Sequence, residues 1–109
     1  MKEDLKFSII IPTYNEENDI ERTLEDLIKI KYSNIEVIVV DDSVDNTPNI
    51  VKRYKDKGVA LIIPKDRKGR SEARNIGIRA SSGDVLVILN ADVLLTHDFI
   101  EKIKKHYDD

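Results

Sequence analysis

Four short apolar runs punctuate the chain: Phe7–Ile11, Ile35–Val40, Val59–Ile63 and Val85–Leu89. Each is of strand length, rich in valine and isoleucine, and close to continuous rather than alternating. Runs of that kind suit strands covered on both faces, which predicts a parallel sheet flanked by helices. The segments between them agree. Ile20, Leu24, Leu27, Ile28 and Ile30 recur at helical spacing among Glu21, Arg22, Glu25, Asp26 and Lys29, the pattern of an amphipathic helix. Thr47-Pro48 reads as an N-cap with proline in the first turn, opening a helix to about Lys57 that Gly58 ends.

Ser71–Ala80 sets Ala73, Ile76, Gly77 and Ala80 on one helical face, small residues that suit close approach to a sheet, and Ser82-Gly83-Asp84 turns the chain into the fourth run. A last helix is expected from near Thr96 as N-cap, with Asp98 in its first turn and Phe99, Ile100 and Ile103 on its apolar side. Strands alternating with helices through right-handed crossovers give an α/β, doubly wound parallel sheet with helices on both faces and strand order 3-2-1-4. Ligands of such sheets bind outside the carboxyl ends of the strands where the order reverses, here between the first and fourth strands.

At 109 residues the chain is expected to form a single domain, residues 1–109, with one site. Hydrophobic residues make up 40% and charged residues 36%, which excludes a disordered chain, and a net charge of -3 argues against nucleic acid as a partner. The absence of cysteine removes disulfides and thiolate metal sites and fits a reducing, cytoplasmic setting. The first apolar run stops at Pro12, too soon for a signal peptide core or a membrane span, so no membrane segment is expected.

The chemistry gathers on four loops. Pro12-Thr13-Tyr14-Asn15-Glu16 combines polar and aromatic groups that suit a nucleobase, or else ends the strand and caps the next helix through Asn15 or Asn18. Asp41-Asp42 follows buried-looking aliphatics; alternation points the two apart, so one can face the crevice and accept from a base or ribose while the other caps a helix. Lys65 to Arg70 collects four cations before a helix N-terminus, a place for phosphates or simply a solvated loop. Asn90-Ala91-Asp92 brings a carboxylate over the crevice, where a hard cation such as Mg²⁺ or Mn²⁺ needs one or two carboxylates plus phosphate oxygens and water, unless Asp92 only caps a turn. Together the loops fit a nucleoside diphosphate. Neither a Gly-x-Gly-x-x-Gly nor a P-loop pattern is present, which disfavours dinucleotide and P-loop modes.

Ser8-Ile-Ile-Ile-Pro-Thr-Tyr-Asn-Glu-Glu17, Val39-Val-Asp-Asp-Ser43 and Ala73-Arg-Asn-x-Gly77, with Asn90-Ala-Asp92 in the slot of an Asp-x-Asp motif, resemble the signature blocks of family 2 glycosyltransferases in order and spacing from about Phe7 to Phe99. The resemblance implies a Rossmann-like GT-A fold and a nucleotide-sugar donor, UDP- or GDP-linked, held with Mg²⁺ or Mn²⁺. By it Pro12, Thr13, Tyr14 and Glu16 border the nucleotide, one of Asp41 and Asp42, with Asp42 favoured, contacts the base, and Lys68 or Arg70 meets the diphosphate. Asn90 reaches a ribose or sugar hydroxyl, Asp92 binds the metal, and Arg74 and Asn75 shape the pocket or contact the donor.

Two departures qualify that implication. Asn90 and Val93 stand where the family pattern carries carboxylates, leaving Asp92 as the one firm ligand. The family's acceptor-binding half and catalytic base match nothing here, so no catalytic residue is assigned. His97, His106, Asp108 and Asp109 are read as surface or capping groups. Transfer is expected only as part of a longer chain, and the fragment alone is expected to be inactive. The competing expectation is a non-catalytic nucleotide-binding or scaffold module; a phosphoacceptor receiver domain rests only on the Asp41-Asp42 pair. Association into a homo-oligomer is expected through an open sheet edge beside the fourth strand.

Overall fold

The alternation of apolar runs and amphipathic segments folds as β1 (Phe7–Thr13), α1 (Ile20–Ile28), β2 (Ile35–Asp41), α2 (Thr47–Lys52), β3 (Val59–Ile62), α3 (Gly69–Ala80), β4 (Val85–Ile88) and α4 (Phe99–Asp108). The computed structural model describes residues 5–30, 32–65, 69–96 and 98–108, without the side chains of 69–71 and 106–108. All strand pairs are parallel and the order is β3-β2-β1-β4, as the sequence predicts.

The two faces of the sheet are covered unequally. Phe7, Ile9 and Ile11 of β1 and Val37 and Val39 of β2 share a core with Ile20, Leu24 and Leu27 of α1, Ile50 and Val51 of α2, and Ile100 of α4. Tyr54 joins this core and donates its hydroxyl to Glu25 Oε2 at 2.7 Å, tying the segment that follows α2 to α1. Its burial, with the Glu25 carboxylate as acceptor and neighbour, pushes its pKa up to about 12. On the opposite face, among the described residues, α3 packs over β1 and β2, with Ala73 against Ile38 and Val40. A Cβ at Gly77 would fall 2.4 Å from Ile10 Cγ2, so glycine is what allows the predicted close approach.

Coverage on both faces therefore holds for β1 and β2 and not for the outer strands. In β4, at the sheet edge, Val85 is buried while Leu86 and Ile88 are 42% and 38% exposed, α3 packing mainly over β1 and β2. β3 stops at Ile62, and Ile63, expected to belong to it, lies outside the strand and largely exposed.

Several boundaries also move. β1 runs through Pro12 to Thr13 instead of ending at the proline. The Ile10 carbonyl accepts from Leu89 N–H, so Pro12, two residues on, turns its missing donor to that same side, beyond the last β4 pairing at Ile10 and Ile88. The helix expected to reach Lys57 breaks into α2 and a single 3₁₀ turn, Lys55–Lys57, closed by Gly58 at φ 89°, the left-handed C-terminal glycine the sequence predicts. Asn46, not Thr47, holds the N-cap position of α2, and Thr47 is the first helical residue. α3 starts at Gly69 rather than Ser71, and α4 at Phe99, whose N–H bonds the Thr96 carbonyl.

Candidate functional site

The carboxyl ends of β1 and β2 carry the first two loops side by side, and polar groups stitch them together. Thr13 Oγ donates to Asp41 Oδ1 at 2.6 Å, and Asp41 also accepts from Ser43 Oγ at 2.7 Å and Ser43 N–H at 3.2 Å. Both Thr13 and Asp41 are buried, at 3% and 1% exposure. The chain then turns through Asn15 at φ 54°, a left-handed conformation that asparagine tolerates better than most residues. Asn15 N–H donates to Ser43 Oγ at 2.7 Å, and Asn15 Oδ1 accepts from Val44 N–H at 2.9 Å. Neither Asn15 nor Asn18 occupies the α1 cap, which falls at Asp19.

Farther along, Glu16 N–H donates to Thr47 Oγ at 2.9 Å, and Thr47 donates its own hydroxyl to Asp45 Oδ1 at 2.5 Å. Asp45 also accepts from Thr47 N–H at 2.9 Å and Glu17 N–H at 3.3 Å. Burial works to raise the Asp45 pKa, but these donors outweigh it and hold the carboxyl below its ordinary value. The loop pair is thus a rigid shelf. On it Tyr14 stands 47% exposed and Asp42 half-buried.

The fourth loop leaves β4 beside β1. Asn90 and Asp92 are exposed and Ala91 is buried, while Val93 packs against the main core. Between this loop, the end of β1 and α3 opens a polar cleft of about 120 Å³, lined by Pro12, Glu16, Arg74, Asn90, Ala91 and Asp92. It lies where the strand order reverses, as the sheet rule requires.

Of the candidate residues, Pro12, Glu16, Asn90 and Asp92 meet in this cleft. Thr13 and Asp41 lie buried in the shelf beside it, while Tyr14 and Asp42 belong to the loops but not to the cleft lining. Arg74, which the sequence left between shaping and contact, lines the cleft, whereas Asn75 is exposed outside it. Lys68 lies outside the described residues; Arg70 falls in the first turn of α3, its side chain outside the description. Among the described residues no group of three or more histidine, aspartate or glutamate side chains converges as a preformed metal cage.

The sequence marks Thr47 as a helix cap and Ser43 as part of a signature block, but it offers neither of them, nor Asp45 or Thr23, as a site residue. Thr23 Oγ donates to the Ala91 carbonyl at 2.5 Å from a fully buried position on α1. Its signal was available: a hydroxyl sits in the apolar stripe of Ile20, Leu24 and Leu27, where a polar side chain needs a partner.

Residues 8–109 match the family described as Glycosyl transferase family 2. The chain belongs to that family. It is 39% identical over 100 residues to the probable glycosyltransferase YdaM of Bacillus subtilis, covering 84% of this chain and 24% of that protein. Among solved structures, Staphylococcus aureus TarS in complex with UDP-GlcNAc superposes with a TM-score of 0.87 at 29% identity, over 95% of this chain and 31% of that one. The mannosyltransferase PcManGT of Pyrobaculum calidifontis, in complex with GDP-Man and Mn²⁺, gives 0.88 at 33% identity, over 96% of this chain and 33% of that one. The GT-A fold of the family therefore spans nearly the whole chain, and the chain in turn spans between 14% and 39% of the length of the curated relatives it matches. No helix among the described residues is long and apolar enough to cross a membrane.

Proposed function

We propose that this family 2 domain binds the nucleoside-diphosphate sugar donor of a glycosyltransferase, with Mg²⁺ or Mn²⁺, and leaves acceptor binding and the catalytic base to a further part of the enzyme. The observation that carries the reading is the polar cleft at the topological switch point, with the Asp92 and Glu16 carboxylates and the Arg74 guanidinium around it. The UDP-GlcNAc bound to TarS and the GDP-Man and Mn²⁺ bound to PcManGT support a donor of this class.

The residues divide the ligand between them. Pro12, Thr13, Tyr14 and Glu16 border the nucleotide, and Asp42 takes the base. Asp41, its oxygens already engaged by Thr13 and Ser43, acts by fixing the shelf on which Tyr14 and Asp42 stand. Asn90 meets a ribose or sugar hydroxyl, and Lys68 or Arg70 the diphosphate. One exposed carboxylate fits a hard cation that draws its remaining oxygens from phosphate and water, so Asp92 is the protein ligand. A cation bound there supplies positive charge to the departing nucleoside diphosphate. Arg74, across the cleft, adds a fixed positive charge of the protein's own.

Calorimetric titration tests the reading with UDP and GDP, each with and without Mn²⁺. Binding that strengthens with Mn²⁺ is expected, together with no sugar transfer by this chain alone. Absence of binding by either nucleotide at millimolar concentration overturns it. A second reading, a binding module without transfer, draws on the lack, among the described residues, of a group of three or more metal-ligating side chains that includes Asp92. It is favoured if the complete natural protein binds donor but transfers no sugar to any acceptor offered. The exposed Leu86 and Ile88 on edge strand β4 support self-association, and a strictly monomeric species in sedimentation at high concentration counts against it. A cytoplasmic setting is part of the same proposal, supported by the cysteine-free composition, which suits a reducing compartment.

A further inference from the structure

The loop that bears Asp92 is held from beneath by α1. Thr23, fully buried, donates its hydroxyl to the Ala91 carbonyl at 2.5 Å and faces the Val93 carbonyl at 3.5 Å. One residue earlier, Arg22 Nη2 donates to the Asp92 carbonyl at 3.3 Å. Three successive carbonyls of the loop therefore face one helix. The turn itself is closed by Val93 N–H on the Asn90 carbonyl at 3.2 Å. Ala91, 2% exposed, and the partly buried Val93 send their side chains into the core, while Asn90 and Asp92 stand exposed at the cleft. α1 is a firm base, since Ile20 and Leu24 on either side of Thr23 are fully buried.

We infer that Thr23, assisted by Arg22, is a positioning residue for Asp92: it fixes the backbone so that a single carboxylate is presented to the cation already in place. The inference rests on the metal role proposed for Asp92. Its physical logic is preorganisation. Where several carboxylates surround a cation, each can be loosely held; where the chain supplies one, any freedom in its backbone is lost directly from binding. Val93, in place of a carboxylate, serves the same end by anchoring the loop in the core. A hydroxyl at position 23 does what an aliphatic residue of equal size cannot, because it fills the space and also supplies a donor to a buried carbonyl.

The test is Thr23→Val, with Thr23→Ser and Arg22→Ala beside it, using Mn²⁺ and UDP as probes. Mn²⁺ binding is read by electron paramagnetic resonance of the free ion, UDP binding without metal by calorimetry, and loop opening by amide hydrogen exchange. Thr23→Val is expected to weaken Mn²⁺ about tenfold or more in the presence of UDP, as loss of a supporting partner does at other metal sites. Metal-free UDP affinity stays within about twofold, since the shelf of loops one and two is untouched. Exchange accelerates at Asp92 and Val93 but not in β1. Thr23→Ser, which keeps the donor, retains Mn²⁺ affinity, and the exposed Arg22→Ala, which leaves the core intact, loses about threefold.

A general loosening of the fold would instead lower both affinities together and raise exchange throughout, and that result overturns the inference. So does a Thr23→Val protein that binds Mn²⁺ like the parent. A parent chain that binds UDP but takes up no Mn²⁺ overturns the metal reading itself, a result distinct from either.

Discussion

Two parts of the site use aspartate in opposite ways. On the shelf formed by the first two loops, Asp41 and Asp45 accept hydrogen bonds from Thr13, Ser43, Thr47 and Glu17 and so spend their oxygens on structure. On the fourth loop the carboxylate of Asp92 stands exposed, while its backbone is tied down by Arg22 and the neighbouring Thr23 contacts. The first arrangement builds a surface; the second presents a ligand. Aspartates at the ends of parallel strands thus divide into those that hold loops in shape and those that reach outward, and burial marks the extremes: Asp41 is 1% exposed, whereas Asp92 lies exposed.

The sharpest way to break this division is to remove a carboxylate from each side. Asp41→Ala strips the acceptor from the buried Thr13 hydroxyl and from both Ser43 donors, and is expected to cost about 3 kcal/mol of stability in urea unfolding. A loss below about 1 kcal/mol means that water or another group replaces Asp41, and the structural role assigned to it fails.

Asp92→Ala is expected to do the reverse. Its exposed side chain leaves unfolding within about 0.5 kcal/mol of the parent. The Mn²⁺-dependent part of UDP binding falls about tenfold or more, equivalent to about 1.4 kcal/mol. If Asp92→Ala unfolds more readily while keeping its Mn²⁺ response, the two sites have been assigned the wrong way round.

The sequence carried the architecture and the location of the site, but not this division of labour. Strand order and helix placement followed from Val- and Ile-rich runs and from the stripe of Ile20, Leu24 and Leu27, which local periodicity records faithfully. Period-two alternation separated Asp41 from Asp42 without telling which faced inward, because Ile35–Val40 is apolar almost throughout and marks neither face as the covered one. The same ambiguity hid the exposure of Leu86 and Ile88. A continuous apolar run states that a face can be buried, not that a helix reaches it.

The bond from Thr23 to Ala91 spans 68 positions of sequence, and no local pattern encodes such a partner. Asn90, Asp92, Pro12 and Glu16 were legible because chain topology alone brings the ends of β1 and β4 together. The boundary at Pro12 was misplaced for a related reason. Whether a missing N–H breaks a strand depends on which neighbour lies on that side, and the sequence does not say that β4 has already ended there.

Acid titration gives the smallest effect and the finest comparison, because two carboxyls with the same sign of shift lie at opposite ends of the strands. Asp45 braces the shelf. Glu36, at the amino end of β2, accepts from Ser8 Oγ at 2.5 Å and Ser82 N–H at 2.6 Å, with Lys6 Nζ 3.7 Å away. Burial works to raise the pKa of Glu36, but these donors and the Lys6 charge outweigh it and hold the carboxyl below its ordinary 4.5, as the shelf donors hold Asp45 below 3.8. In each case the folded chain binds fewer protons than the unfolded chain through the interval between the two values. The stabilisation is complete above the ordinary value and is lost as pH falls through the folded one. Asp45→Asn and Glu36→Gln should therefore each flatten part of the fall in urea midpoint below about pH 4.5. They should differ in binding. At neutral pH Asp45→Asn weakens metal-free UDP affinity, because the brace on Glu17 and Thr47 is altered, whereas Glu36→Gln leaves it unchanged. Equal effects on UDP binding would show that loop order and general acid stability are the same property here, and that the shelf has no separate role in presenting Tyr14 and Asp42.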